Sequence, residues 1–186
     1  MVCKFNYTFQ NLNDSCKVAN QGGIKELYII DYDKIKAQVT GDTLTQYIEN
    51  ITFSTTGDTF AKYTLAKNTS SLEMAGEYTD TNTQYRNTLT FQLIKITPEK
   101  RGQLMALDQH PLVVIVRDSN DLYWYLGFNN YASVTASSAQ TGTNQTDVNH
   151  MEITIEDVSA ERPYTLSESM VTLVQGRVIP EPEPEP

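Results

Sequence analysis

The sequence has few of the residues from which metal centres are built. Its 186 residues include two cysteines and two histidines, and His110 and His150 stand apart from each other and from both cysteines. Because a metal site needs three or four such ligands brought together, we expect neither a metal nor another cofactor. Cys3 and Cys16 are close enough in sequence for a disulfide, but spacing alone does not show that they meet, and two free thiols is the preferred interpretation.

Long apolar runs are missing as well. The chain begins without the basic stretch and apolar segment of a secretory signal, and no later segment reaches the length that crosses a bilayer. We therefore expect no membrane span, and a protein that stays in the compartment where it is made.

Basic residues are scarce. Lysine and arginine total 14 against 23 aspartates and glutamates, for a net charge of −9, and three of the acids belong to a terminal Glu-Pro repeat in residues 180–186. We expect this repeat to be a disordered tail. An acidic body repels phosphate backbones, which argues against specific nucleic-acid binding but suits a wall past which DNA slides.

Catalytic motifs are also absent: there is no nucleophile elbow, phosphate loop or dinucleotide-binding turn. Neither histidine has an orienting carboxylate that is evident in the sequence. Carboxylates that are close in sequence belong to turns or strand ends, and they fall in three pairs: Asp31 with Asp33, Asp118 with Asp121, and Glu156 with Asp157. Side chains of this kind serve local backbone bonding more often than catalysis, so we predict a protein that is not an enzyme.

What the sequence does contain is the pattern of apolar residues that is typical of β-strands. Alternating or continuous apolar runs predict strands at 24–30, 47–53, 60–65, 85–96, 112–116, 122–128, 131–136 and 150–158. These predict a single mainly β domain over 1–179, a β-sandwich or barrel-like fold, with an N-terminal extension at 1–21 and a weaker C-terminal extension at 164–179 that packs on the body or on another chain. The run at 112–116 is apolar at every position, which predicts burial on both faces, by the core or by a partner subunit.

One short helix interrupts the strands. Thr97 is an N-cap residue, Pro98 suits the first helical position and Glu99 adds early acidity, so we predict a flanking helix over about 98–107.

Residues 66–83 are polar almost throughout and predict an extended surface excursion or a long hairpin. In an assembling protein such an arm bridges to a neighbouring subunit. The candidate interface residues on this arm are Asn68, Ser70, Ser71, Glu73, Glu77, Asp80 and Asn82.

An aromatic cluster lies in and just after the predicted strand at 122–128 and consists of Tyr123, Trp124, Tyr125, Phe128 and Tyr131. Such rings stack on sugars or bases when they are exposed, but core packing is the preferred interpretation in a strand. A carbohydrate- or receptor-binding β-sandwich stays open as the alternative function, and it requires an exposed aromatic platform.

Several segments together resemble structural tail proteins of phages that infect Bacteroidetes, including crAss-like phages. The resemblance covers most of the chain up to about Tyr164, and it rests on Cys16-Lys17, Gly22-Gly23-Ile24-Lys25, Ser70-Ser71-Leu72-Glu73, the strand–helix unit at 89–107 and the strands at 112–127. It implies a β-sandwich with a flanking helix, subunits joined into rings, and a channel for DNA, with no catalytic residues to carry over.

The function expected from this sequence is therefore a bacteriophage virion protein that forms a homo-oligomeric ring in the tail, neck or tail hub. Its partners would be copies of itself, neighbouring virion proteins and genomic DNA that passes through without specific binding. Strand pairing and the polar arm would supply the contacts between subunits.

Overall fold

The computed structural model describes residues 21–41, 47–79, 83–144 and 146–180. These residues form two β-sheets and two helices, and they show a sandwich with no closed barrel. The predicted mainly β fold with a short flanking helix is therefore confirmed. Cys3, Cys16, most of the predicted N-terminal extension and the Glu-Pro repeat after Pro180 lie outside the described residues.

The larger sheet has seven strands in the order β2-β3-β11-β8-β7-β1-β4. Its strands are β1 (Ile24–Asp31), β2 (Ile35–Thr40), β3 (Tyr47–Phe53), β4 (Ala61–Thr64), β7 (Leu112–Asp118), β8 (Tyr123–Leu126) and β11 (Tyr164–Leu166). A single 3₁₀ turn, Tyr32–Lys34, connects β1 to β2. Sequence analysis did not predict β2, because only three of its six residues are apolar and none is buried.

The smaller sheet has four antiparallel strands in the order β5-β6-β10-β9. They are β5 (Ser70–Tyr78), β6 (Thr83–Ile94), β9 (Ser133–Gln140) and β10 (His150–Ser159). Residues 70–78 of the polar segment thus form the first strand of a long hairpin with β6, which is the second of the two predicted alternatives. Each residue of β5 pairs with β6, from Ser70 opposite Phe91 to Tyr78 opposite Thr83.

The central strand β7 is buried on both faces, as its sequence predicted. All five residues of the run from Leu112 to Val116 are at most 3% exposed. Leu112, Val114 and Val116 pack against the four-stranded sheet in a first hydrophobic core, whereas Val113 and Ile115 belong to a second core on the opposite face. The described part of this single chain supplies both cores, so a partner subunit is not needed to cover the strand.

The C-terminal segment packs on the body, which is one of the two alternatives that the sequence left open. Strand β11 lies between β3 and β8, parallel to the former and antiparallel to the latter. It is followed by an unpredicted second helix, α2 (Glu168–Gly176), which buries Met170 and Val174 in the second core. The segment therefore joins the β2-β3 hairpin to the rest of the sheet.

The predicted helix, α1, spans Pro98–Gln109. The Thr97 hydroxyl accepts a hydrogen bond from the Lys100 backbone N–H at 3.3 Å, and Pro98 occupies the first turn, as the sequence indicated. Leu107 is buried in the first core and Leu104 packs against it, so the helix closes one side of the sandwich.

Candidate assembly surface

The four-stranded sheet has one apolar face and one polar face. Leu89, Phe91 and Ile153 point into the first core. The side chains on alternate positions point away from it and are half-buried or exposed. We call this outward set the acidic face, and its members are Ser71, Glu73, Ala75, Glu77, Gln84, Arg86, Thr88, Thr90, Gln92, Ile94, Ala136, Ser138, Gln140, His150, Glu152, Thr154, Glu156 and Val158.

Charge on the acidic face is predominantly negative, with four glutamates and one arginine. The Arg86 guanidinium donates to Glu77 Oε1 from Nε and to Glu156 Oε2 from Nη1, both at 2.8 Å. These bonds connect β5, β6 and β10 across the sheet. They raise the pKa of Arg86, and the bonds from Arg86 and Gln84 lower the pKa of Glu77. The other two glutamates, Glu73 and Glu152, make no ion pair with a described residue.

The two edges of this sheet are β5 and β9, and β9 has the composition of an unprotected edge. Its eight residues include no charge and no proline, and residues 135–140 are all exposed. Its ladder bonds go to β10, with one register shift at Thr154 and Ile155 that leaves residues 136–140 in regular pairing, and it pairs with no other strand of the described residues. Proteins normally block long edges with charges, prolines or bulges, because the free N–H and C=O groups can pair with another chain.

The edges of the larger sheet are better protected. Strand β4 has four residues and carries Lys62, and β2 carries Lys36 and has two register shifts in its pairing with β3. Short length, lysine and bulges each disfavour pairing with a further strand. The smaller sheet is therefore the better candidate for contact between subunits.

Five of the predicted interface residues lie at or next to the β5 edge. Ser71, Glu73 and Glu77 are on the acidic face, whereas the Ser70 hydroxyl donates to the Ile24 backbone carbonyl at 3.3 Å and so belongs to the body. Asn68 lies in the preceding turn with φ of 62°. The remaining two, Asp80 and Asn82, lie outside the described residues.

Two of the three carboxylate pairs noted in the sequence, Asp118 with Asp121 and Glu156 with Asp157, do not converge on a site. Asp118 accepts the backbone N–H groups of Asn120 and Leu122 and the Trp124 indole N–H, so it shapes its own turn. Glu156 and Asp157 are successive strand residues and point to opposite faces of β10. Neither pair has the arrangement of a hydrolytic centre.

One juxtaposition was not predicted from the sequence. The His110 Nδ1 lies 2.7 Å from Asp31 Oδ2, so this histidine does have an orienting carboxylate. It borders an open cleft of about 510 Å³ that is also lined by Tyr32, Asp108 and Tyr131. Among the described residues no hydroxyl or thiol hydrogen-bonds to His110, so the pair lacks the nucleophile that a catalytic triad requires. Asp31 ends β1 and His110 follows α1, and because these positions are far apart in the chain the pair left no local signal in the sequence.

The aromatic cluster packs largely inside the body. Tyr123 and Tyr125 are buried in the second core, Trp124 packs against the first, and the Phe128 ring centroid lies 4.6 Å from that of Tyr164. Of the five rings only that of Tyr131 is exposed. Core packing is therefore the correct interpretation for this segment, and these rings form no sugar-binding platform.

The described residues contain no group of three or more histidine, cysteine or acidic side chains placed to hold a metal ion. No helix within the same residues is long and apolar enough to span a membrane. A scan of protein-family models and searches of curated proteins and of solved structures found no match to the chain.

Proposed function

We propose that this protein is a non-enzymatic structural subunit that assembles with copies of itself into a ring around a DNA channel, in the tail, neck or tail hub of a bacteriophage. The observation that carries the proposal is the four-stranded sheet. It combines an uncharged free edge, a second free edge and an acidic outward face. The resemblance in the sequence supports the same assignment.

The two edges suggest how the ring is made. Strand β9 of one copy pairs with β5 of the next, so the contact is head-to-tail and closes into a ring if the rotation between neighbours divides a full turn. Main-chain hydrogen bonds supply the affinity, and Ser71 and Glu73 on β5 lie beside the new strand. The predicted interface residues of β5 thus keep a role, as part of an edge strand.

In such a ring the acidic face lines the channel. The glutamates would repel the phosphates of duplex DNA, and the threonine, serine and glutamine side chains among them would hold water. A lining of this kind offers no site at which DNA is retained, which suits passage of a genome. Copies of the chain, neighbouring virion proteins and the passing DNA are the partners that follow.

The test compares the oligomeric state of edge variants. In a strand, successive N–H groups point to opposite sides, so one of Ser137→Pro and Ser138→Pro removes a donor on the free side of β9 and leaves the β10 ladder intact. The matched controls are Ser137→Ala and Ser138→Ala, which keep every N–H. Circular dichroism identifies the variants that fold.

We expect rings with a central hole by electron microscopy for the wild-type chain and for both alanine controls. We expect monomers by light scattering for the folded proline variant. A wild-type chain that remains monomeric at high concentration would contradict self-assembly and leave only assembly on a partner protein. Rings formed by both proline variants would contradict the β9 interface.

A further inference from the structure

An aspartate, Asp157, is buried inside the sandwich, on the face of the four-stranded sheet that packs in the first core. Asp157 of β10 is 3% exposed, and it pairs directly with Asn87 of β6, which is 0% exposed. Asp157 lies on the same face of the sheet as Ile155, and Asn87 lies on the same face as Leu89. Both side chains therefore face the seven-stranded sheet. They are the two buried polar or charged residues among those that the structure describes.

Hydrogen bonding between the two side chains is incomplete when Asp157 is ionised. The Asn87 Nδ2 donates to Asp157 Oδ2 at 3.1 Å. The Asn87 Oδ1 and the Asp157 Oδ1 are both buried, and neither has a hydrogen-bond partner among the described residues. Both atoms are acceptors, and an unpartnered buried acceptor is costly, more so when it carries charge.

No described side chain compensates a charge at this position. The neighbouring charged residues, Arg86 and Glu156, belong to the acidic face on the other side of the sheet, where they pair with each other. From the seven-stranded sheet, the group that interacts with Asp157 is the Gly127 backbone amide. Burial raises the pKa of Asp157 and outweighs the opposing effects of Asn87 and Gly127.

We infer that Asp157 keeps its proton in the folded chain at pH values where an exposed aspartate has lost it, and that it donates this proton to the Asn87 amide oxygen, so that the carboxylic acid and the amide form a reciprocal pair between β10 and β6. Protonation of Asp157 removes the buried charge, and it also turns one of the two unpartnered oxygens into a hydrogen-bond donor for the other. The inference is independent of the proposed function. It makes the pair a contact in the core whose contribution to stability falls as pH rises.

The direction of the pH effect follows from the sign of the shift. A carboxyl whose pKa is higher in the folded than in the unfolded chain binds more protons when folded, so its contribution to stability is present at low pH. That contribution is lost as pH rises above the ordinary value of 3.8 toward the folded pKa. Within that window each pH unit changes the folded-to-unfolded ratio by up to about tenfold.

The first test needs no variant. In protein labelled with ¹³C at the aspartate carboxyl carbon, nuclear magnetic resonance follows each aspartate through a pH titration. We expect one aspartate to lose its proton at a clearly higher pH than the others, and we expect its signal to be missing from Asp157→Asn. Titration of every aspartate near the ordinary value of 3.8 would overturn the inference, as would a late-titrating signal that persists in the folded variant.

The second test measures stability against pH. Asp157→Asn keeps an amide in place of the acid and can form the reciprocal pair without a titrating group. Relative to this variant the wild-type chain should lose stability as pH rises above about 4, with a slope of up to one proton. Glu152→Gln, on the outward face of the same strand, is the matched control and should keep the wild-type slope. Parallel pH profiles for the wild-type chain and Asp157→Asn would overturn the inference. If Asp157→Asn does not fold, the titration of the wild-type chain decides alone.

Discussion

Ile115 and Val116 are neighbours in β7, and their side chains lie in different hydrophobic cores. Both are fully buried. Ile115 belongs to the second core with Val174 of α2, whereas Val116 belongs to the first core with Leu89 of the opposite sheet. Because successive strand residues point to opposite faces, the backbone of β7 is the common wall of both cores. A defect on either face of this strand therefore affects the whole domain.

Replacing Ile115 by alanine should lower the free energy of unfolding by about 2–5 kcal/mol, because the substitution leaves a cavity in a closely packed core. Urea denaturation monitored by circular dichroism measures the change. Thr135→Ala is the control, since residue 135 is exposed and should shift stability by no more than about 0.5 kcal/mol. Equal effects of the two substitutions would show that the second core contributes little.

Removal of the buried Tyr125 hydroxyl should stabilise the chain. This residue is 0% exposed, and its hydroxyl has no hydrogen-bond partner among the described residues. Burial raises the pKa of the phenol, so it stays neutral at all ordinary pH values. Tyr125→Phe removes an unpartnered buried oxygen and keeps the ring, so we expect a gain of about 1 kcal/mol in thermal or urea denaturation.

Tyr123 supplies the matched control for that prediction. Its hydroxyl accepts a hydrogen bond from the Gln175 Nε2 at 2.7 Å, which connects β8 to α2. Tyr123→Phe should therefore destabilise the chain by about 0.5–1.5 kcal/mol. The two substitutions have opposite expected signs on the same strand, and a loss of stability in Tyr125→Phe would contradict the assignment of an unpartnered hydroxyl.

The sequence predicted best the strands whose residue pattern directly records what each face of the strand contacts, either a hydrophobic core or solvent. Met151, Ile153 and Ile155 alternate with polar residues and lie in the first core, and 112–116 is apolar throughout because β7 has a core on each side. The pattern is strong in these segments because burial alone decides it. The capped helix was equally clear, since Thr97 and Pro98 are local signals.

The elements that were missed depend on distant parts of the chain. Helix α2 is short, and it is held by its contact with the second core and by the insertion of β11 between β3 and β8. Neither neighbour is close in sequence. The acidic face likewise emerges only when β5, β6 and β10 are placed in register, because its glutamates lie on β5 and β10, which are separate in the chain. The candidate residues on β5 were predicted, but their partners on β10 were not.

Protonation of Glu26 should lower the stability of the fold in acid. Its carboxylate accepts from Lys62 at 2.7 Å and from Arg117 at 2.8 Å, and the Tyr28 hydroxyl donates to it at 2.9 Å. Burial opposes ionisation, but these three donors together lower the pKa from 4.5 to about 2. A lowered pKa stabilises the fold above pH 4.5, and the contribution is lost as pH falls from 4.5 to about 2.

In the variant Glu26→Gln this part of the pH dependence should disappear. At pH 7 we expect a loss of about 1–3 kcal/mol, because Lys62 and Arg117 lose a charged acceptor, and near pH 2 we expect little difference from the wild-type chain. Denaturation curves between pH 2 and pH 7 measure both. Glu49→Gln alters an exposed glutamate of β3 and should leave the profile unchanged. A variant profile parallel to that of the wild-type chain would contradict the role of Glu26.

The negative charge of the acidic face predicts that the assembled protein binds duplex DNA weakly. Four glutamates against one arginine give this face a net charge of −3, and Glu73→Lys together with Glu152→Lys would change it to +1. The wild-type protein should retain no duplex DNA at low salt. The double variant should bind about tenfold more tightly or better, and raising the salt from about 50 to 200 mM should reverse the gain because phosphate contacts release counterions. Glu49→Lys with Asp33→Lys makes the same change in total charge on exposed residues away from this face. Equal DNA retention by both double variants in a filter-binding assay would mean that total charge matters and that the acidic face does not line the DNA path.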